Sequence, residues 1–327
     1  MPDMKVFVTG GTGFIGGHLI NLLQARDGVQ IFALVRDARR LKGLAGKQGI
    51  EFLEGDLFSL PSLPSPLDVV FHFAGLTKSL RPKDYYTVNQ KGTASLLRHL
   101  EFLRLKPKVI CLSTLAAAGP SEPGSAVKES DLPRPVSPYG KSKLLAEGEA
   151  MAFSDRMPVT VIRVGPVYGP GDEDFLVYFK YIRKGLLPLF GRGKKCVSLC
   201  YVGDLIRALD LCLGSDSAAG QIFNIADPQP YSWQDFGRIA GTILGTRPVP
   251  VCVPPWMAGL AASASEASSR IIGKPGPFNK SKCRDMRQAG WVADVTKARD
   301  VLGFRTEYSL EEGLRETIAW YIREGRL

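Results

Sequence analysis

The chain has 327 residues, 45% of them hydrophobic, enough to bury a large core and to form one large or two interlocked domains. It reads as a soluble globular protein. The net charge of +10 favours anionic ligands, yet Lys and Arg are scattered without the basic runs and interleaved aromatics of a nucleic-acid surface, which leaves phosphate-bearing small molecules.

Residues 5–9 (KVFVT) form a short apolar run; Gly10, Gly13 and Gly16 follow at once and lead into 18–23 (HLINLL), which has helical spacing. This is strand, tight turn, helix. Glycine suits such a turn because positive φ costs it little. Lacking Cβ, it also lets the backbone approach a pyrophosphate, whose charge the helix's unpaired N–H groups meet. The next strand, 31–35, ends at Arg36, where a dinucleotide fold meets the adenosine ribose. An acidic residue there accepts the 2′-hydroxyl, whereas an arginine fork pairs with a 2′-phosphate. Arg36, helped by Arg39 or Arg40, therefore indicates NADP; Asp37, one residue on, keeps NAD as the alternative.

Strand-like runs recur at 50–53, 69–73, 109–112 and 159–162, separated by helical segments such as 88–103 and 141–151. The alternation implies a doubly wound α/β fold, a parallel sheet covered on both faces. Ser113 and Thr114 end one strand at the sheet's carboxyl edge, where ligands bind. Tyr139 and Lys143, in SPYGKSKLLAEGEA, stand i,i+4 on one helical face. A free tyrosine titrates near about 10, and bringing it toward neutrality takes roughly 4 kcal/mol of phenolate stabilisation. An adjacent ammonium and a positive nicotinamide ring would supply that. Tyr139 then acts as general acid or base at a carbinol or carbonyl oxygen, Thr114 donates to the same oxygen, and Lys143 also binds the nicotinamide ribose.

Beyond 162 the texture changes. GPVYGPGD at 165–172 is a loop, 175–184 a helix, 197–202 a strand, 205–213 a helix and 222–225 a strand. Helices follow at 233–244, 257–272 and 310–322, with proline-rich joins at 248–255 and 274–277. There is no internal repeat. The expected division is a nucleotide-binding domain of 1–165 with 198–226, and a smaller α+β substrate domain of 166–197 with 227–327. Cys111, Cys196, Cys200, Cys212, Cys252 and Cys283 make no CxxC pair and have no clustered histidines, so neither a metal site nor a disulfide framework is expected. Cys196 and Cys200 would share one face of the 197–202 strand region as buried thiols, and His18, His72 and His99 are read as structural. The first strand starts within a few residues of Met1 and no apolar run reaches spanning length, which places the protein in the cytoplasm.

TGGTGFIG at 9–16, GDL at 55–57, HFAG at 72–75, NQKGT at 89–93, LSTLAAAG at 112–119, YGKSK at 139–143 and VYGPGD at 167–172 occur in this order, followed by YVGDL at 201–205, FNIAD at 223–227 and KARDVLGF at 297–304. The series resembles the extended short-chain dehydrogenase/reductases of the NAD-dependent epimerase/dehydratase family over essentially the whole chain. The resemblance implies a Rossmann fold in which Gly10, Gly13, Phe14, Ile15 and Gly16 form the dinucleotide turn. It further implies that Asp56 and Leu57 hold the adenine end, Ala74 and Gly75 line the cofactor backbone, Asn89 pins the helix carrying that wall, and Pro166 and Val167 close the far side. Thr114, Tyr139 and Lys143 fall on the family's catalytic triad. Relatives pair the helices around 88–103 and 139–151 across a dimer axis, which implies a homodimer.

Two positions depart from the sugar-nucleotide pattern. Relatives resembling UDP-galactose epimerase place an asparagine and an arginine where this chain has Pro166 and Val197, so a substrate diphosphate would lose two partners. Residues 251–274, with Trp256, Met257, Leu260, Ile271 and Ile272, instead suit the apolar cover of the 3β-hydroxysteroid dehydrogenase and dihydroflavonol reductase branch; packing against the core or a partner subunit is the other reading. The segment carries little basic charge on its own polar side, which argues against a membrane-surface role. Lys280, Lys282, Arg284 and Arg287 follow it, either as a site for an acidic group or as a solvated turn. The expected activity is hydride transfer between NADP or NAD and a secondary alcohol or ketone of a small, apolar substrate. A nucleotide-sugar epimerase or dehydratase is the alternative, and a non-catalytic cofactor sensor a third reading.

Overall fold

Strand and helix alternate from the start: β1 (Met4–Thr9), α1 (Phe14–Gln24), β2 (Val29–Val35), β3 (Ile50–Glu54) and β4 (Val69–His72). These are followed by α2 (Pro82–Tyr85), a wide turn of helix at Tyr86–Lys91, α3 (Gly92–Phe102), β5 (Lys108–Thr114), α4 (Leu115–Ala118), α5 (Pro138–Met151) and β6 (Val159–Val164). The computed structural model describes residues 4–37, 49–191, 195–272, 276 and 279–327, with the side chains of 270 and 271 left out. Arg39, Arg40 and most of the 274–277 join lie outside the described residues.

The second half contributes β7 (Val167–Tyr168), α6 (Asp174–Arg183), β8 (Leu186–Phe190), β9 (Cys196–Val197), β10 (Cys200–Tyr201), α7 (Val202–Gly214) and β11 (Gln221–Ile225). It ends with β12 (Tyr231–Ser232), α8 (Trp233–Ile243), β13 (Val249–Val253), α9 (Pro255–Ile272), α10 (Lys280–Met286), β14 (Gly290–Trp291), α11 (Thr296–Leu302) and α12 (Leu310–Arg323).

A seven-stranded sheet in the order β11-β6-β5-β4-β1-β2-β3 organises the chain, every pairing parallel. Its residues alternate between two cores, as the period of a strand requires. Val6, Val8, Ile31, Phe71 and Ile162 pack with α1 and α7 on one face. Phe7, Phe32, Val70, Val109 and Val161 pack with α3 and α5 on the other. From β1 the chain runs to β2 and β3 on one side and later to β4 on the other, so the strand order reverses between β1 and β4. A crevice opens at the carboxyl ends there. The first core continues without a break into α6, α8 and α12, where the Phe179 ring stacks on Phe236 and tilts against Tyr321, both at 5.9 Å.

Two expectations about elements fail for non-local reasons. The strand expected at 197–202 is broken at Ser198, whose N–H donates to Trp291 and whose hydroxyl accepts from Ala293. β9 pairs with β12 and β14, while β10 pairs with β7. Cys196 and Cys200 therefore share no strand face. Within the 248–255 join lies β13, which runs parallel to β8 despite Pro250; with no partner strand on its other side, it tolerates the missing N–H.

Candidate active site

The glycine turn is dictated by close approach. Gly10 has φ +76°, and a Cβ there would stand 2.7 Å from the Ala74 amide nitrogen at the end of β4. A Cβ on Gly16 would collide with the Gly10 carbonyl oxygen. Gly13 donates back to that carbonyl at 3.0 Å and begins α1 with no side-chain cap and no acidic residue in the first turn. The leading N–H groups, those of Phe14, Ile15 and Gly16, thus have no helical acceptor. A backbone stripped of side chains in front of such N–H groups fits a dinucleotide pyrophosphate.

Hydrogen bonds lock the crevice wall. Thr93 donates to the Asn89 carbonyl at 2.6 Å, so its oxygen accepts from His72 Nε2 at 2.9 Å. His72 Nδ1 then accepts the Thr9 hydroxyl at 2.8 Å, and Thr9 accepts the Ala74 N–H at 3.2 Å. Burial, seconded by the charge of Lys143, pushes His72 down to about 3, so it stays a neutral strut between β1, β4 and α3. Asn89 carries the wall onward. Its carbonyl accepts the Leu76 N–H at 2.7 Å, and its amide donates to Leu76 O and, at 2.9 Å, to Ser142 on α5. A Cβ on Gly75 would stand 3.0 Å from Asn89 Oδ1, a tight contact against the residue that fixes the wall.

α5 starts at Pro138 behind the Ser137 cap, so Tyr139 and Lys143 both lie on the helix, one turn apart. The Tyr139 phenol is within reach of Thr114, which ends β5 and caps α4 and favours the ionised phenol. Lys143 Nζ donates to the Leu112 carbonyl at 2.6 Å. The three residues expected to act together are brought together. The expected acidification is not met by the protein's own groups: burial pushes the Tyr139 phenol up, the Thr114 hydrogen bond offsets a part, and Asp285 and Tyr85 push it further up. Burial lowers the Lys143 ammonium, against the opposing pull of Cys111 and Glu147. At neutral pH Tyr139 therefore holds its proton, which suits it to donate to a carbonyl oxygen.

The other expected site residues divide. Arg36 is exposed just past the end of β2. One oxygen of Asp56 accepts the N–H groups of Phe58 and Ser59 at 2.7 and 2.9 Å, and the Leu57 side chain is buried against Gly92, so an adenine at this edge would meet their backbone rather than the Leu57 side chain. Pro166 accepts the Cys200 N–H, and Val167 pairs with Cys200. The loop after them is tied to α1, since His18 Nε2 bonds the Pro170 carbonyl at 2.7 Å and Phe14 lies against His18. Val197 is in the core and offers a ligand nothing. Trp256, Met257 and Leu260, expected in an apolar cover, are exposed on α9.

Three groups have partners that the sequence reading did not assign. Ser113 does not join the site but donates to Glu147, which forms a buried ion pair with Arg163 at 2.7 Å. Asp174 joins Lys78, beyond β4, to Lys282 on α10 at 2.5 and 2.8 Å, tying α10 across the crevice. Asp285 on α10 accepts from Ser137 with one oxygen, while its Oδ1 is buried with no partner among the described residues. No local spacing marks these residues: Glu147 and Arg163 are 16 positions apart, Ser113 and Glu147 34, and the partners of Asp174 96 and 108.

The profile described as the NAD dependent epimerase/dehydratase family matches residues 6–226. The sterol-4-alpha-carboxylate 3-dehydrogenase erg26 (decarboxylating) of Schizosaccharomyces pombe is 28% identical, with 98% of each chain covered. A UDP-glucose 4-epimerase of Vibrio cholerae is 26% identical over 99% of this chain and 97% of its own. The solved structure of MoeE5 in complex with UDP-glucuronic acid and NAD superposes with a TM-score of 0.76 at 27% identity, covering 98% of this chain and 99% of that one.

Proposed function

Because the chain belongs to the NAD dependent epimerase/dehydratase family, we propose that it is a dehydrogenase or reductase acting on a secondary alcohol or ketone of a small, apolar substrate. The reading is carried by Tyr139 and Lys143, one turn apart on α5, with Thr114 at the end of β5 beside the phenol. A bound nicotinamide would supply the hydride. In the reducing direction Tyr139 delivers its proton to the carbonyl oxygen, Thr114 orients that oxygen, and Lys143 stabilises the phenolate left behind.

Gly10, Gly13, Phe14, Ile15 and Gly16 are assigned to the pyrophosphate, the backbone of Asp56 and Leu57 to the adenine edge, Ala74 and Gly75 to the wall that Asn89 fixes, and Pro166 and Val167 to the opposite rim. The NADP preference rests on Arg36 alone among the described residues, NAD being the alternative. Arg36→Asp is expected to lower kcat/KM with NADPH by about tenfold or more while sparing NADH, since it removes a charge-assisted pair; equal effects on both would remove the preference. The substrate wall is assigned to 166–197 and 227–327.

Pro166 and Val197 bring no hydrogen-bond donor to a substrate diphosphate, and erg26 is named a dehydrogenase of a sterol. The epimerase reading is favoured by the UDP-sugar relatives. Purified protein given NADPH or NADH and a panel of hydrophobic ketones should oxidise the cofactor. Interconversion of UDP-hexoses without added cofactor, and no turnover of ketones, would replace this reading by the second.

A further inference from the structure

α9 is inside out. Ala258, Ala262 and Ser269 form its buried stripe, the two alanines packed with Cys283 of α10, while Trp256, Met257 and Leu260 are 65, 47 and 64% exposed. A helix that merely covers a core turns its large apolar residues inward and leaves small ones outside. Here small residues let α10 approach closely, and the large ones are left to water. Trp256, Leu260 and Ser263 recur every three to four residues and line a concavity of about 550 Å³ whose other wall is α10.

That wall is basic. Lys280, Arg284 and Arg287 line the same concavity and are exposed. Arg287 donates to the Pro255 carbonyl at 2.7 Å, which holds its guanidinium at the foot of α9, and Lys280 stands 3.6 Å from Glu266, the one acidic group paired there among the described residues. Asp285, the single acid of α10, turns the opposite way, to Ser137. The surface thus combines a tryptophan and two long aliphatic side chains with a surplus of cations, on a chain whose net charge is +10. The basic charge that α9 lacks on its own polar side is supplied by its neighbour. No described helix is long and apolar enough to cross a membrane.

We propose that the α9–α10 face docks the protein on an anionic membrane surface, Trp256, Met257 and Leu260 entering the headgroup–acyl boundary while Lys280, Arg284 and Arg287 meet lipid phosphates. The inference does not depend on the substrate. Asp285 and Lys282 join the inner side of α10 to Ser137 and Asp174, so docking would set the crevice wall against the bilayer.

The test uses the full chain with vesicles of phosphatidylcholine alone and of phosphatidylcholine mixed with phosphatidylglycerol. The protein should co-sediment with the mixed vesicles, with a blue shift of tryptophan emission, and release as salt is raised. Trp256→Ser/Leu260→Ser and Arg284→Gln/Arg287→Gln should each weaken the partition about tenfold or more, with an unchanged melting temperature. Failure of the parent chain to co-sediment with anionic vesicles overturns the proposal, as does equal binding by either variant. A parent dimer that falls to monomer in Trp256→Ser/Leu260→Ser, with no vesicle binding, would overturn it in favour of a second copy of the chain.

Discussion

At Tyr139 the decisive quantity is the free energy of its proton. Burial holds the phenol neutral in the chain by itself, with Asp285 and Tyr85 adding to the rise and Thr114 acting against it. Tyr139→Phe keeps the ring that lies 6.0 Å from Tyr85 and removes the hydroxyl. It is expected to lower kcat by about a hundredfold or more with little change in dinucleotide affinity, measured by stopped-flow and by fluorescence titration. Asp285 gives a second test. Its carboxyl is pushed by burial from 3.8 to about 6, with Ser137, Arg284 and Lys282 acting against the rise. Between those values the unfolded chain has lost the proton that the folded chain keeps, so stability falls as pH rises through the window. Asp285→Asn should raise stability at pH 8 by on the order of 2–3 kcal/mol and flatten the denaturant midpoint between pH 4 and 6. Asp172, raised to about 6 by its own burial, leaves part of the slope in place.

Among the elements, the glycine turn separates two residues that look alike in sequence. Gly16 has the Gly10 carbonyl where its Cβ would go, whereas Gly17, the next residue of α1, has nothing within 4 Å. Gly16→Ala should abolish dinucleotide binding and destabilise the fold, since backbone on both sides must move. Gly17→Ala should leave binding intact and stabilise by about 0.5–1 kcal/mol through helix entropy; calorimetric titration and urea denaturation distinguish them. Between α5 and β6, Glu147 pairs with Arg163, both almost fully buried, and also accepts from Ser113. Glu147→Ala strands a guanidinium inside the molecule and is expected to cost about 3–5 kcal/mol, read as a fall in the urea midpoint.

Over the whole molecule, one core runs from the sheet through α6, α8 and α12. A homodimer through α3 and α5 is our proposal for its assembly, and light scattering should return twice the chain mass. The sequence by itself determined the doubly wound sheet, the glycine turn and the Tyr139–Lys143 face. Each of these follows from a short-range rule: the two-residue period of a strand, the steric demand of a turn, the 3.6-residue turn of a helix. Tertiary structure decided what those residues experience. Burial, seconded by Asp285 and Tyr85 from separate segments and offset only in part by Thr114, leaves the phenol protonated where an adjacent lysine had promised the reverse. The fate of α9 was decided in the same way. Its apolar residues face outward because α10 fills the inner side, and a one-dimensional pattern does not contain which face a neighbour will occupy or how much water it will exclude.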